Sequence, residues 1–399
     1  MTNTLPVAAH GICSARFEPL RELFTSNLNT GVDLGASLAI TIDGEFAVDL
    51  WGGWADEART RPWRDDTITL VYSTTKMMAA LAALILVDRG ELDLNAPVAK
   101  YWPEFAAQGK GGVLVRHVMS HTSGVCGWQE PVTMADVCDW EKSTALLAAQ
   151  APWWEPGTAS GYQMICHGHL IGELVRRVTG LKLSAFFARE IAGPLGADFH
   201  MGIQPSNYHR LADQMPPKKE LPRLPIKTLL SLFLQPKGVV ARTFKNPAHD
   251  PAFRLTDTYR EADMGASNGY GNAHSVSRAL SVLANGGVMN GVRLLSPKTI
   301  DRIFEPQSRG IDRVLGIPLT WGIGYALPMA RLLPFIAADS KVCFWGGYGG
   351  SMTIIDLDRR MTVSFVMNKL DGGILGSPRV ERILACAYAC MADAAIEVA

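Results

Sequence analysis

Surplus charge of either sign is missing from this sequence: 38 basic residues face 38 acidic ones across 399 positions, and the pI is near 7.1. Long blocks of like charge are missing too, so nothing in the overall charge suggests a nucleic-acid or acidic-membrane partner. Hydrophobic runs are short. The longest candidate, Met77 to Val87, falls far below the ~20 apolar residues that a membrane span needs. The first residues, MTNTLPVAAHG, have neither a basic n-region nor an apolar h-region and do not read as a signal peptide. Cysteine is sparse, seven residues without regular spacing, which speaks for reduced thiols rather than a disulfide frame. These absences predict a soluble, cytoplasmic chain, long enough to bury a large core in one or two domains. They leave its oligomeric state open.

What is present falls into two kinds of segment. Residues 36–51, ASLAITIDGEFAVDLW, are two alternating apolar runs joined by Asp43-Gly44, a two-residue hairpin signal. Residues 352–368, MTIIDLDRRMTVSFVMN, again read strand, tight turn, strand. Ahead of the first pair, Phe17, Leu20, Leu23, Phe24 and Leu28 recur at helical spacing, and a final helix, RVERILACAYACMADAA, closes the chain. Between these ends lie helical segments such as HLIGELVRRVTG and SVSRALSVLANGG, separated by Pro/Gly-rich loops that include PPKKELPRLP at 216–225. No repeat or low-complexity tract intervenes. The expectation is an α+β architecture: an antiparallel sheet built from 1–76 and 305–399 and flanked by N- and C-terminal helices, with 77–304 as an inserted, mainly helical domain.

The handover between them carries the first chemical signal, Ser73-Thr74-Thr75-Lys76 ahead of the apolar run. Serine there is a good N-cap for a buried helix, and that reading needs no catalysis. S-x-x-K is also a known nucleophile signature. A serine hydroxyl needs a base within hydrogen-bond reach. Residues three apart share a helix face, so Lys76 can present its amine beside Ser73. The apolar run behind it provides a wall that lowers the lysine pKa, and the helix start offers N–H groups to a developing oxyanion.

The remaining blocks decide between the two readings. RGELDLNAPVAKYWPEF (89–105), VRHVMSHTSGV (115–125), WWEPGTASGYQ (153–163), HLIGELVRRVTGLKLSAFFAREIAGPLGA (169–197), ANGGVMNGVRLLSP (284–297) and FWGGYGG (344–350) follow in order. From about residue 30 to 370 the chain resembles the serine β-lactamase-like family: class C β-lactamases, D-alanyl-D-alanine peptidases and, most closely, family VIII carboxylesterases. The resemblance implies Ser73 as acylated nucleophile, Lys76 as its base and Tyr162 as the tyrosine sharing the proton transfer. Trp345-Gly346-Gly347 falls on the third motif beside the pocket, and the backbone N–H groups of Ser73 and Tyr348 form the implied oxyanion hole. Two positions depart from the β-lactamases, Met164 in place of their asparagine and Trp345 in place of their lysine. W-G-G is the esterase form. The implied activity is cleavage of a small carboxylic ester through an acyl-enzyme, with no metal and no organic cofactor. Acyl transfer, weak β-lactam, D-amino-acid peptide or amide hydrolysis, and a catalytically dead binding module are the alternatives.

Other residues have plainer readings. Gly265-Ala266-Ser267-Asn268-Gly269 matches G-x-S-x-G, yet DTYREADM ahead of it is no apolar strand, so an elbow serine at Ser267 is disfavoured. Cys166-His167-Gly168-His169 has metal-ligand residue types without a second cluster. His167, near Tyr162 in sequence, is a candidate for the pocket wall. Cys386 and Cys390 read as small apolar packing and His121 as a structural hydrogen-bonder. Trp128, Trp153 and Trp154 suit either an acyl pocket or the core, and LLSLFLQP (229–236) suits a lid, a contact or the core.

Overall fold

The computed structural model describes residues 6–217, 224–248, 250–330, 332–373 and 375–392. Its centre is an antiparallel sheet of six strands: β1 (Ala9–Cys13), β2 (Gly35–Ile42), β3 (Glu45–Gly53), β4 (Val342–Gly346), β5 (Met352–Asp356) and β6 (Met361–Met367). The order is β1-β3-β2-β6-β5-β4, so the two ends of the chain meet where Ser364 pairs with Ala39. The β2–β3 turn is the two-residue hairpin read from Asp43-Gly44. Both residues have positive φ, 51° and 88°, the conformation that matches the twist of adjoining strands. Among the described residues no helix is long and apolar enough to cross a membrane.

Seven helices frame the site: α1 (Glu18–Asn29), α2 (Thr75–Asp88), α3 (Cys166–Thr179), α4 (Ile226–Leu234), α5 (Val239–Lys245), α6 (Ala273–Ala284) and α7 (Pro378–Ala392). The terminal pair, α1 and α7, lies on one face of the sheet, where Tyr388 donates to Asp356 at 2.9 Å and Arg379 sits over Phe365. Helix α6 covers the other face, with Ser277 bonded to Ser364 at 2.8 Å and the Ala273 N–H donated to Ser37. Both faces being covered, every residue of β2 except Ile42 is buried, and its polar Ser37 and Thr41 are buried with the rest. Strict alternation of apolar and polar residues is a one-sided pattern, and a sandwiched strand does not need it. Helix α6 lies within 77–304 and nevertheless packs on the sheet.

Helix α2 is apolar all round. Met77 through Leu86 are buried without exception, which is the composition of a helix surrounded by protein. It points its N-terminus at the end of β4, and the candidate site lies there.

Candidate active site

A short strand, Thr69–Leu70, pairs with Gly269–Gly271 and feeds a single turn of 3₁₀ helix, Tyr72–Thr74, that runs into α2. Tyr72 is held at φ +47°, a left-handed conformation that costs a non-glycine residue roughly 1–3 kcal/mol. The surroundings hold it there. Thr75 Oγ1 donates to the Tyr72 carbonyl at 2.5 Å and accepts the Gly269 N–H at 2.8 Å. Arg254 donates to the Tyr72 hydroxyl at 3.0 Å. This turn leaves Ser73 half-buried, while Lys76 and Tyr162 are each 2% exposed.

Lys76 Nζ lies 3.1 Å from Ser73 Oγ, 2.7 Å from the Met164 carbonyl and 3.0 Å from the Ala266 carbonyl. Burial lowers its pKa to about 7, and among the described residues no carboxylate pairs with it. The amine also lies 4.9 Å from the centroid of the Tyr162 ring. The Tyr162 hydroxyl accepts the Trp345 indole N–H at 3.1 Å and is hydrogen-bonded to the Ser73 hydroxyl. Burial pushes its pKa up against those two hydrogen bonds, so it is a neutral phenol near pH 7.

The end of β4 closes the other side. Gly347 passes so near the turn that carries Ser73 that a Cβ there would lie 2.2 Å from the Val71 carbonyl, which excludes any other residue. Ser351, bonded to both the Val71 carbonyl and Thr74 Oγ1 at 3.1 Å, stitches the two segments together. Tyr348, half-buried, sets its ring edge-on to Tyr72 at 5.5 Å. Among the described residues nothing takes the Tyr348 N–H. Ser73, Lys76, Tyr162, Trp345, Gly346, Gly347 and Tyr348 therefore come together in one place.

The other candidates separate from them. Trp128 fills the core of the helical part, its ring against His169 and its N–H donated to the Ser143 carbonyl at 3.1 Å. Trp154 is spent in the same way, on the Ala159 carbonyl. Trp153 is half-buried under the Arg242 guanidinium, 3.7 Å from its ring. His167 is wholly buried, 4.5 Å from His121 in the layer behind Tyr162, and so has no surface to offer a substrate. Burial, then the Lys76 charge, hold it neutral. His121 accepts the Gln163 N–H through Nδ1 at 3.2 Å, a structural bond as its type suggested. Ser267 lies in the turn whose Ala266 carbonyl receives Lys76, and a three-residue strand rather than a helix follows it. No group of three His, Cys, Asp or Glu among the described residues is arranged to hold a metal, and all seven cysteines are free thiols. Lys341 pairs with Asp301 and Arg278 sits over Phe46, so neither places its cation in the site.

Two supporting residues carry no signal in the sequence. Asp312 Oδ1 accepts the N–H groups of Tyr162, Val314 and Leu315, each at 3.0 Å, and so fixes the backbone that presents Tyr162. Trp321 packs between His121 at 4.2 Å and Trp345 at 4.6 Å, its ring tilted against both, behind the phenol. Asp312 is 150 residues from Tyr162, in a stretch with no motif.

Known proteins resemble this chain over nearly its whole length. The Beta-lactamase family matches residues 20–384. The crystal structure of a family VIII carboxylesterase is 38% identical and superposes with a TM-score of 0.87, covering 96% of this chain and 99% of its own. Esterase/beta-lactamase LipL of Mycobacterium tuberculosis (strain ATCC 25618 / H37Rv) is 32% identical over 340 residues, 84% of this chain and 77% of its own. Esterase EstB of Burkholderia gladioli is 27% identical over 369 residues, 86% of this chain and 88% of its own. The chain belongs to the Beta-lactamase family and is a serine hydrolase of its carboxylesterase branch.

Proposed function

We propose that this protein cleaves small neutral carboxylic esters through an acyl-enzyme on Ser73, with Lys76 as the base. The observation that carries this reading is the set of three acceptors around Lys76. A neutral amine has two hydrogens and one lone pair. The Met164 and Ala266 carbonyls can only accept, so they take the hydrogens, and the lone pair is left for the Ser73 O–H. The pKa near 7 makes that neutral form available in ordinary buffer.

Attack forms the Ser73 Oγ–carbonyl bond, and the Ser73 proton moves to Lys76. The carbonyl oxygen becomes an oxyanion between the N–H groups of Ser73 and Tyr348. Tyr162 receives a hydrogen bond from Trp345, which directs its own hydrogen toward the reacting oxygen. Being neutral, it donates that hydrogen to the departing alcohol and is reprotonated from the Lys76 ammonium. Water, activated by the same amine, then releases the acid. Trp345, its one N–H given to Tyr162, brings no charge where β-lactam-recognising relatives place a cation. An anionic substrate loses a charge-assisted bond worth about 1.5–3 kcal/mol, or roughly ten- to a hundredfold in kcat/KM. The free thiols agree with a reducing, cytoplasmic setting.

Three measurements test this. Intact-mass analysis after a phosphonate ester should show one adduct, mapped to Ser73, and Ser73→Ala should be inactive. kcat/KM for a p-nitrophenyl butyrate should exceed that for a penicillin in the same buffer. An adduct on Ser267 sinks the nucleophile, and equal penicillin hydrolysis sinks the substrate class.

A further inference from the structure

The balanced total charge hides a local excess. Between Glu220 and Asp250 the sequence contains Arg223, Lys227, Lys237, Arg242 and Lys245 and not one acidic residue. Helix α4 lies in this stretch and turns an apolar face outward. Ile226, Leu230, Phe233 and Leu234 are 68, 50, 67 and 74% exposed. Their i, i+4, i+7, i+8 spacing puts all four on one side. The opposite side is anchored: Thr228 is buried, and Gly316 comes so close that a Cβ there would lie 1.8 Å from Thr228 Oγ1. Lys227, Lys237 and Lys245 are exposed around the apolar face, with Lys245 Nζ 5.6 Å from the Phe233 ring.

We propose that α4 docks this protein on an anionic phospholipid surface. Its apolar face enters the boundary between headgroups and acyl chains, and the lysines meet the lipid anions. Grouped large apolar side chains held in water mark a surface that is covered in use. A rim of lysines around them, with no acidic residue among them, is the pattern of a helix lying in a membrane interface. A second copy of the chain fits worse. A two-fold contact would oppose lysine to lysine, and nine residues at ~1.5 Å rise offer far less than the ~800 Å² per partner of a stable dimer. The surface is also next to the site. Thr228 rests on the 312–317 loop that holds Tyr162, and on α5 Thr243 meets Cys126 at 3.4 Å while Arg242 covers Trp153. A docked molecule is thereby brought to esters dissolved in lipid. Binding is read without turnover, so this inference stands or falls apart from the ester-cleaving reading.

The test is co-sedimentation of the full chain with phosphatidylcholine vesicles, with and without phosphatidylglycerol. At about fivefold per lysine, three lysines predict roughly a hundredfold preference for the anionic vesicles, weakened by salt. Leu230→Ser/Phe233→Ser should lose at least tenfold in binding to the anionic vesicles. Lys227→Glu/Lys237→Glu/Lys245→Glu should erase the preference. Both variants should keep wild-type kcat/KM on a water-soluble butyrate ester, because none of the five side chains belongs to the catalytic machinery. Equal binding to both vesicles, or binding unchanged in the variants, overturns the proposal. So does a vesicle-free dimer dissolved by Leu230→Ser/Phe233→Ser, or capture of an acidic peptide without any vesicle binding.

Discussion

Lys76 and Lys110 are both sunk in protein, 2% and 0% exposed, and among the described residues neither forms an ion pair. Burial depresses both, to about 7 and about 8. Their surroundings differ in one respect. Lys110 Nζ donates to three backbone carbonyls, of Ala107 and Ala148 at 2.8 and 2.9 Å and of Gln150. Lys76 meets two carbonyls and a hydroxyl. Carbonyls can only accept, so a set of three requires three hydrogens and favours the ammonium. A hydroxyl can also donate, so the set around Lys76 is satisfied in either protonation state. Lys110 is thus a clamp, tying the 103–112 turns to the end of the helix Trp140–Ala149, whereas Lys76 is free to act as the proposed base. A low lysine pKa alone does not separate the two. The nature of the third acceptor does.

The largest effects come from breaking the Lys76 side of the comparison. Lys76→Ala and Tyr162→Phe should each lower kcat by about 10² to 10⁴, the usual worth of a positioned acid–base group. The double variant should fall little further if both serve one transfer. Near wild-type turnover in Tyr162→Phe would leave the transfer to Lys76 alone. Lys110→Met should act on stability instead. Leaving buried carbonyls without donors costs about 1–3 kcal/mol each, so urea unfolding should show a loss of several kcal/mol, with kcat per folded molecule unchanged. A Lys110 variant that keeps its stability and loses turnover would erase the distinction. The gentlest probe is pH. Lys76 must be neutral to accept a proton, so activity should fall about tenfold per unit below its pKa near 7 and level off above it. A profile flat from pH 5 to 9 would contradict a lysine base.

What the sequence reveals is what is local. The Asp43-Gly44 turn fixes its own hairpin, and Ser73 and Lys76 share a helix face because three residues separate them. Tyr162 and Trp345 lie 86 and 269 residues beyond Lys76, and only their likeness to family motifs marks them. The acceptors that set the Lys76 environment cannot be marked at all, because any residue at 164 or 266 would supply the same backbone carbonyl. Asp312 is invisible for a related reason, since what it holds is the N–H of Tyr162 and not its side chain. Trp128 has the right residue type for an apolar pocket wall, and only the packing shows that its N–H is committed to Ser143.

The all-round burial of α2 has a consequence for how activity arises in time. Its Met77 carbonyl accepts the Tyr325 hydroxyl at 2.9 Å, and the Lys76 amine reaches carbonyls 88 and 190 residues away. No early, locally formed helix can therefore contain the proposed base in working form. Lysine 76 stays an ordinary exposed amine, charged at neutral pH, until segments from the middle and the far end of the chain have docked and expelled water. Catalysis is accordingly a clock for the last step of assembly: during refolding, helical signal should return first and ester turnover only when the final contacts close.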